Sequence, residues 1–173
     1  MLLSFALRIQ STALFTAVRE EWFYYPIIMA LHLVGIAVFG GMILMTDLRL
    51  LGLAMRKHSV ADVVNQLRIP KRIGFVLVAT CGILMAGSKA EEYYYNAFFR
   101  TKITLLVLIA VHALIFRPSV YNNAAALDQI PTLPARAKVA AALSLLLWVG
   151  VACAGRGIGY IEPPLDKIHA YVR

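Results

Sequence analysis

The chain is poor in the residues that mark soluble enzymes. It has two cysteines, Cys81 and Cys153, each alone in an apolar run, and no Cys-x-x-Cys pair. They say nothing about redox compartment and read as small packing hydrophobes. There is no His-Glu-x-x-His and no paired-carboxylate site, and neither Ser11 nor Ser144 has a histidine and a carboxylate in plausible reach, so hydrolase chemistry is excluded. "GRGIG" (155–159) follows a helical run instead of opening a helix after a strand, so it is not a phosphate loop. Acidic residues are scarce, 9 against 17 Lys and Arg, for a net charge of +8. Outside the apolar runs no aromatic residues interleave with the basic ones, which argues against a nucleic-acid partner. The excess reads as membrane topology and lipid headgroup contact. No internal repeat is visible, and no catalytic residue can be assigned.

What is abundant is apolar sequence. Of 173 residues, 61% are hydrophobic, more than a soluble domain of this length can hide. The fold class is therefore all-α: an integral membrane four-helix bundle forming one domain, residues 21–157. The spans are expected at Trp22–Thr46, Ile73–Ser88, Tyr93–Phe116 and Val139–Gly155. "WFYY" (22–25) reads as an aromatic belt, and Pro26 suits a first helical turn. Residues 1–20 lack the basic start of a signal peptide. Their polar residues Ser4, Arg8, Ser11, Thr12, Thr16 and Arg19 recur at steps of three and four. They are expected to form one amphipathic interfacial helix that stays attached.

The loop after the first span carries Arg49, Arg56, Lys57, Arg68, Lys71 and Arg72, and the loop after the third adds Arg117, Arg136 and Lys138. Both loops are expected to be cytoplasmic, which leaves both termini, the "SKAEEYYYN" loop (88–96) and the tail 158–173 on the outer side. His58 and His169 fall in polar segments and read as solvated.

Ionisable residues inside the spans are costly, so each needs a partner or a ligand. Counted from "EEW" (20–22) and "EEY" (91–93), His32 and Lys102 each lie about ten residues in, at similar depth, with Arg156 near the same end. They form an expected outer site. His112 lies in the inner half, about 10 Å or more from His32 along the membrane normal. A haem bridged by both histidines is therefore disfavoured, and Asp47 is the expected partner of His112. Asp47, Arg49, His112 and Arg136 form an expected inner site. The bland alternative for each is a structural pair holding helices in register. Trp148 reads as core.

"LHLVGIAVFGGMILMTDLRLLG" (31–52), "KITLLVLIAVHALIF" (102–116) and "RAKVAAALSLLLWVGVACAGR" (136–156) resemble an uncharacterised bacterial family of small four-span membrane proteins, over about Trp22 to Arg156. That resemblance implies a bacterial cytoplasmic (inner) membrane location. The family pattern has asparagine where this chain has His112, so His112 is not implied by it. The layout is also similar to the J-type membrane protoporphyrinogen oxidase, with a histidine in the first span and a lysine opening the third, matched here by His32 and Lys102. It further resembles the copper-resistance D family. The former likeness implies haem b.

Three functions follow as expectations. In the first the protein is redox-linked: His32 ligates the iron of a b-type haem, or hydrogen-bonds a quinone or porphyrin, while Lys102 and Arg156 neutralise propionates or a developing quinol anion. In the second it is a non-catalytic anchoring subunit packed against other membrane proteins in the bilayer, with no cofactor. The third, copper or small-solute passage, ranks lowest, because Met29, Met42 and Met45 do not share one helical face with His32.

Overall fold

The computed structural model describes residues 2–130, 132–161 and 163–165. The end of the expected tail, with His169, lies outside the described residues. Among these residues the elements are helical throughout: α1 (Leu2–Gln10), α2 (Ala13–Glu20), α3 (Tyr24–Leu51), α4 (Val60–Gln66), α5 (Arg68–Ser88), α6 (Ala90–Tyr95), α7 (Ala97–Phe116), a π-helical turn (Arg117–Tyr121), α8 (Ala124–Leu127) and α9 (Ala135–Ile158). Four of them, α3, α5, α7 and α9, are long and apolar enough to cross a membrane. The protein is a multi-pass membrane protein whose outward apolar faces meet lipid.

The N-terminal segment is two helices, not the single one expected. The hydroxyls of Ser11 and Thr12 turn back on the carbonyls of Arg8 and Ile9 at 2.9 Å each, and Thr12 is extended (φ −70°, ψ 149°), so the chain restarts at Ala13. Both helices dock on the end of the bundle that carries α6. The Phe15 ring lies on Gly87, the Arg19 guanidinium donates to the Ser88 carbonyl at 3.3 Å, and the Gln10 side chain accepts from the Glu91 amide at 2.9 Å.

Span boundaries differ from expectation, and the differences at the end of α3 and the start of α5 carry charge into a helix. α3 runs on through Asp47 to Leu51. Gly52, in the left-handed conformation (φ 74°), then stops it with its amide on Arg49, while the Leu53 amide reaches Leu48 at 3.0 Å. α5 begins at Arg68 rather than Ile73, because Pro70 falls in a first turn where its missing N–H costs nothing. Lys71 and Arg72 therefore stand in helical register. At the other end, the third span starts at Ala97, because Asn96 breaks the chain. Its Oδ1 caps the Phe99 amide at 3.1 Å and its Nδ2 donates to the Ile161 carbonyl at 2.8 Å.

The buried residues of α3 are His32, Gly35, Phe39, Met42, Thr46, Asp47 and Leu50, a seam at alternating steps of three and four. Small and polar residues sit inside, and Leu33, Val34, Ile36, Val38 and Leu44 point outward. In lipid, association rests on close approach rather than on hiding apolar surface. Gly35 faces Val78 and Gly74 faces Phe39 across the α3–α5 contact. On α9 the buried Ala137, Ala140, Ala141 and Ser144 serve the same purpose.

α3 packs against α5 and α9, and α9 packs against α7. The order is α5–α3–α9–α7, with no packing seam between α5 and α7. At the end away from the termini, α4, α8 and the π-helical turn form a cap whose core includes Leu50, Val60, Val64, Val120, Leu127 and Ala137. The Asp128 carboxylate fixes α4 in it by accepting from the Val60 and Ala61 amides at 2.7 and 2.9 Å.

Candidate functional site

Two polar levels cross the bundle, separated by aromatic rings. Phe39 meets Trp148 edge-on at 5.5 Å and Phe75 at 5.9 Å, and Trp148 itself is half-buried.

The first level lies toward the termini. His32 is 9% exposed. Its ring fits against α5 where Gly82 leaves room, since a Cβ there would stand 3.2 Å from Cε1, and the Val78 backbone also approaches it. Its Nδ1 has no hydrogen-bond partner among the described residues. An unmet polar atom of this kind costs about 1–3 kcal/mol. Lys102 runs along α9 over Gly155, whose added Cβ would stand 3.5 Å from Nζ. The ammonium is close enough to act electrostatically on His32, as their matched depth predicts. Among the described residues the ion pairs are Arg19–Glu20 and Lys89–Glu92, so Lys102 has no acid beside it. Arg156 stands apart from this pair. It is exposed, donates to the Tyr160 hydroxyl at 2.9 Å and covers that ring at 4.9 Å.

The second level is knitted together. Asp47 is 1% exposed, and its Oδ1 accepts from the Tyr121 hydroxyl at 3.3 Å. The Ser144 hydroxyl and the Lys71 ammonium both act on the same carboxylate. Lys71 donates to Thr46 Oγ1 at 3.0 Å, and Thr46 donates in turn to the Met42 carbonyl at 2.9 Å. Among the described residues Asp47 Oδ2 has no direct hydrogen-bond partner. Burial, and then the Asp47 charge, push the Tyr121 phenol far above its ordinary range, so Tyr121 is the donor of this bond.

Of the four residues expected here, Asp47 holds the centre. His112, on α7, donates from Nε2 to the carbonyl of Ala140, one turn from Ser144 on α9, at 2.9 Å, so it is not the partner of Asp47. Arg49 turns to the loop and donates to the His58 carbonyl at 2.7 Å, and Arg136 lies over the Phe116 ring at 6.0 Å. Both satisfy themselves at the rim. The residues missed were Thr46, Lys71, Tyr121 and Ser144. Lys71 was hidden by being read as loop, Tyr121 by lying beyond the span, and Ser144 by being weighed solely as a nucleophile.

Residues 19–161 match the profile of a family described as "Family of unknown function (DUF6644)". No curated protein and no solved structure matches the chain.

Proposed function

The chain belongs to the DUF6644 family, and we propose that it is a redox-linked membrane protein that receives a quinone head group at the Lys102–His32 level. The observation that supports this reading is the pairing of a half-buried ammonium lacking an acid with an imidazole nitrogen lacking a partner. Carbonyl oxygens would answer the ammonium, and they gain negative charge on reduction, when a fixed cation matters most. Lys102 is the contacting group, and His32 supplies a second polar atom at that depth. The role derived for these residues is to bind and orient the head.

Haem b fits these residues poorly. Nδ1 of His32 is fully enclosed, α5 closes on the ring at Gly82, and Nε2 of His112 is already engaged. Copper passage gains nothing either. Met42 shares the buried seam with His32 but lies ten residues, about 15 Å, along it, while Met29 and Met45 face outward.

The proposed setting is the bacterial cytoplasmic membrane with the termini outside. Its support is the concentration of Arg49, Arg56, Lys57, Arg68, Lys71, Arg72, Arg136 and Lys138 at the opposite end. A second reading, a non-catalytic subunit, is favoured by α7. Among its residues His112 is the one buried, and Ile103, Val107, Leu108, Val111, Leu114 and Ile115 are outward. One experiment separates the two readings. The protein is purified with native lipids, and its quinone content is measured by solvent extraction and chromatography. Near-stoichiometric quinone that falls at least tenfold in Lys102→Met is expected. Quinone no higher than in bulk lipid sinks the proposal, and co-purification of a membrane protein in fixed ratio would then favour the subunit reading.

A further inference from the structure

At the end opposite His32, a cavity of about 230 Å³ opens where α5 and α7 fail to pack, lined by Arg68, Lys71, Arg72, Tyr121 and Asn122 with Ala113 of α7. No carboxylate is among its lining residues. Arg68, Lys71 and Arg72 fall at steps of three and four on α5, so their cations share one face and repel one another; Asp47 acts on Lys71, and a further anion would answer the two arginines. Among the described residues neither Arg68 nor Arg72 has a hydrogen bond or an ion pair, whereas Lys71 is steadied by Thr46 and Tyr121 by Asp47. Two free forks beside the Lys71 ammonium, which spends one of its three N–H donors on Thr46, match the oxygens of a phosphate.

The position of the cavity chooses among phosphates. It lies at the mouth of an unpacked groove between two membrane-spanning helices, and Val76, one turn beyond Arg72, is exposed and apolar. A ligand there meets charge at one end and hydrocarbon along its length. We propose that this cavity binds the phosphate head group of an anionic membrane lipid, held by Arg68, Lys71 and Arg72, with the acyl chains in the α5–α7 groove. The site is separate from the Lys102–His32 level and does not depend on what is bound there.

The test uses the full chain, delipidated in mild detergent, and native mass spectrometry during titration with palmitoyl-oleoyl phosphatidylglycerol, its phosphatidylcholine counterpart, or inorganic phosphate as competitor. A one-to-one phosphatidylglycerol complex at least tenfold tighter than that with phosphatidylcholine is expected. Two lost charges should weaken it about thirtyfold in Arg68→Ala/Arg72→Ala. Arg68→Lys/Arg72→Lys should hold most of the affinity, and Arg56→Ala/Lys138→Ala, at a separate basic cavity, should hold all of it. If the alanine pair does not fold, Arg68→Gln/Arg72→Gln takes its place. Equal binding of the two lipids, or undiminished binding by a folded charge-removed variant, overturns the proposal. Displacement of the lipid by millimolar inorganic phosphate would overturn it in favour of a free anion.

Discussion

The two polar levels of the bundle use similar ingredients in opposite ways. Around Asp47, side chains from α3, α5, α9 and the π-helical turn meet, and a cap of α4 and α8 covers them. Around His32, the imidazole leans on a glycine of α5 and the nearest cation belongs to α7, itself resting on a glycine of α9. The Asp47 level brings an acid and a base together, so its charges answer one another. Among the described residues the His32 level has a base and an imidazole and no acid. A buried group that is already answered works as a fastener, while one left unanswered has affinity to spare for something outside the chain.

The largest effect expected from this contrast is on stability. Asp47→Ala removes the acceptor of Tyr121 and leaves Lys71 without its counter-charge, which should cost about 3–5 kcal/mol. Lys102→Met removes a cation that has no acid, and should leave stability unchanged or raise it. Unfolding of both variants in detergent is the measurement. If Lys102→Met loses as much as Asp47→Ala, Lys102 is answered after all and the contrast between the levels collapses.

A smaller effect is expected from His112, which ties α7 to α9 beside the fastened level. His112→Ala frees a buried carbonyl at Ala140 and should cost about 1–3 kcal/mol. His112→Asn, which can still donate, should recover much of that loss. Failure of asparagine to recover any would show that the ring's contact with Phe116, at 4.9 Å between centroids, matters more than the hydrogen bond.

The smallest effect is spectroscopic. The folded-state titration of Tyr121 is displaced upward, so its contribution to stability is complete below the ordinary tyrosine value of about 10 and is lost only as pH rises through the higher folded value. At about pH 11 the folded wild type and Tyr121→Phe should therefore show the same phenolate absorbance. A difference worth one tyrosine would place Tyr121 in water and detach it from Asp47.

The four spans and the depth match of His32 with Lys102 were legible because both depend on counting along the chain, which a rise of about 1.5 Å per residue converts to height. Rotation about each helix axis was not legible. α3 is apolar on nearly every side, so nothing in its average composition tells the seam from the lipid face. The clue was that His32, Gly35, Thr46 and Asp47 fall on one stripe. Lys71 was lost for a related reason. Treating charge as the mark of a span's end put Lys71 in the loop before the second span, and it turns inward to Thr46 instead.

The order α5–α3–α9–α7 has a consequence for how the chain is made. Synthesis delivers α3 and α5 in succession, and they can pair at once. α7 enters the membrane before α9, the span against which it packs most closely, has been translated, and must wait there for it. Asp47 meets Ser144 only when α9 arrives. The last span delivered thus closes the assembly, and a ribosome stalled before Ala135 would leave two paired helices, an orphan third and an Asp47 still short of Ser144 in the bilayer: a form that membrane quality control can tell from the finished protein.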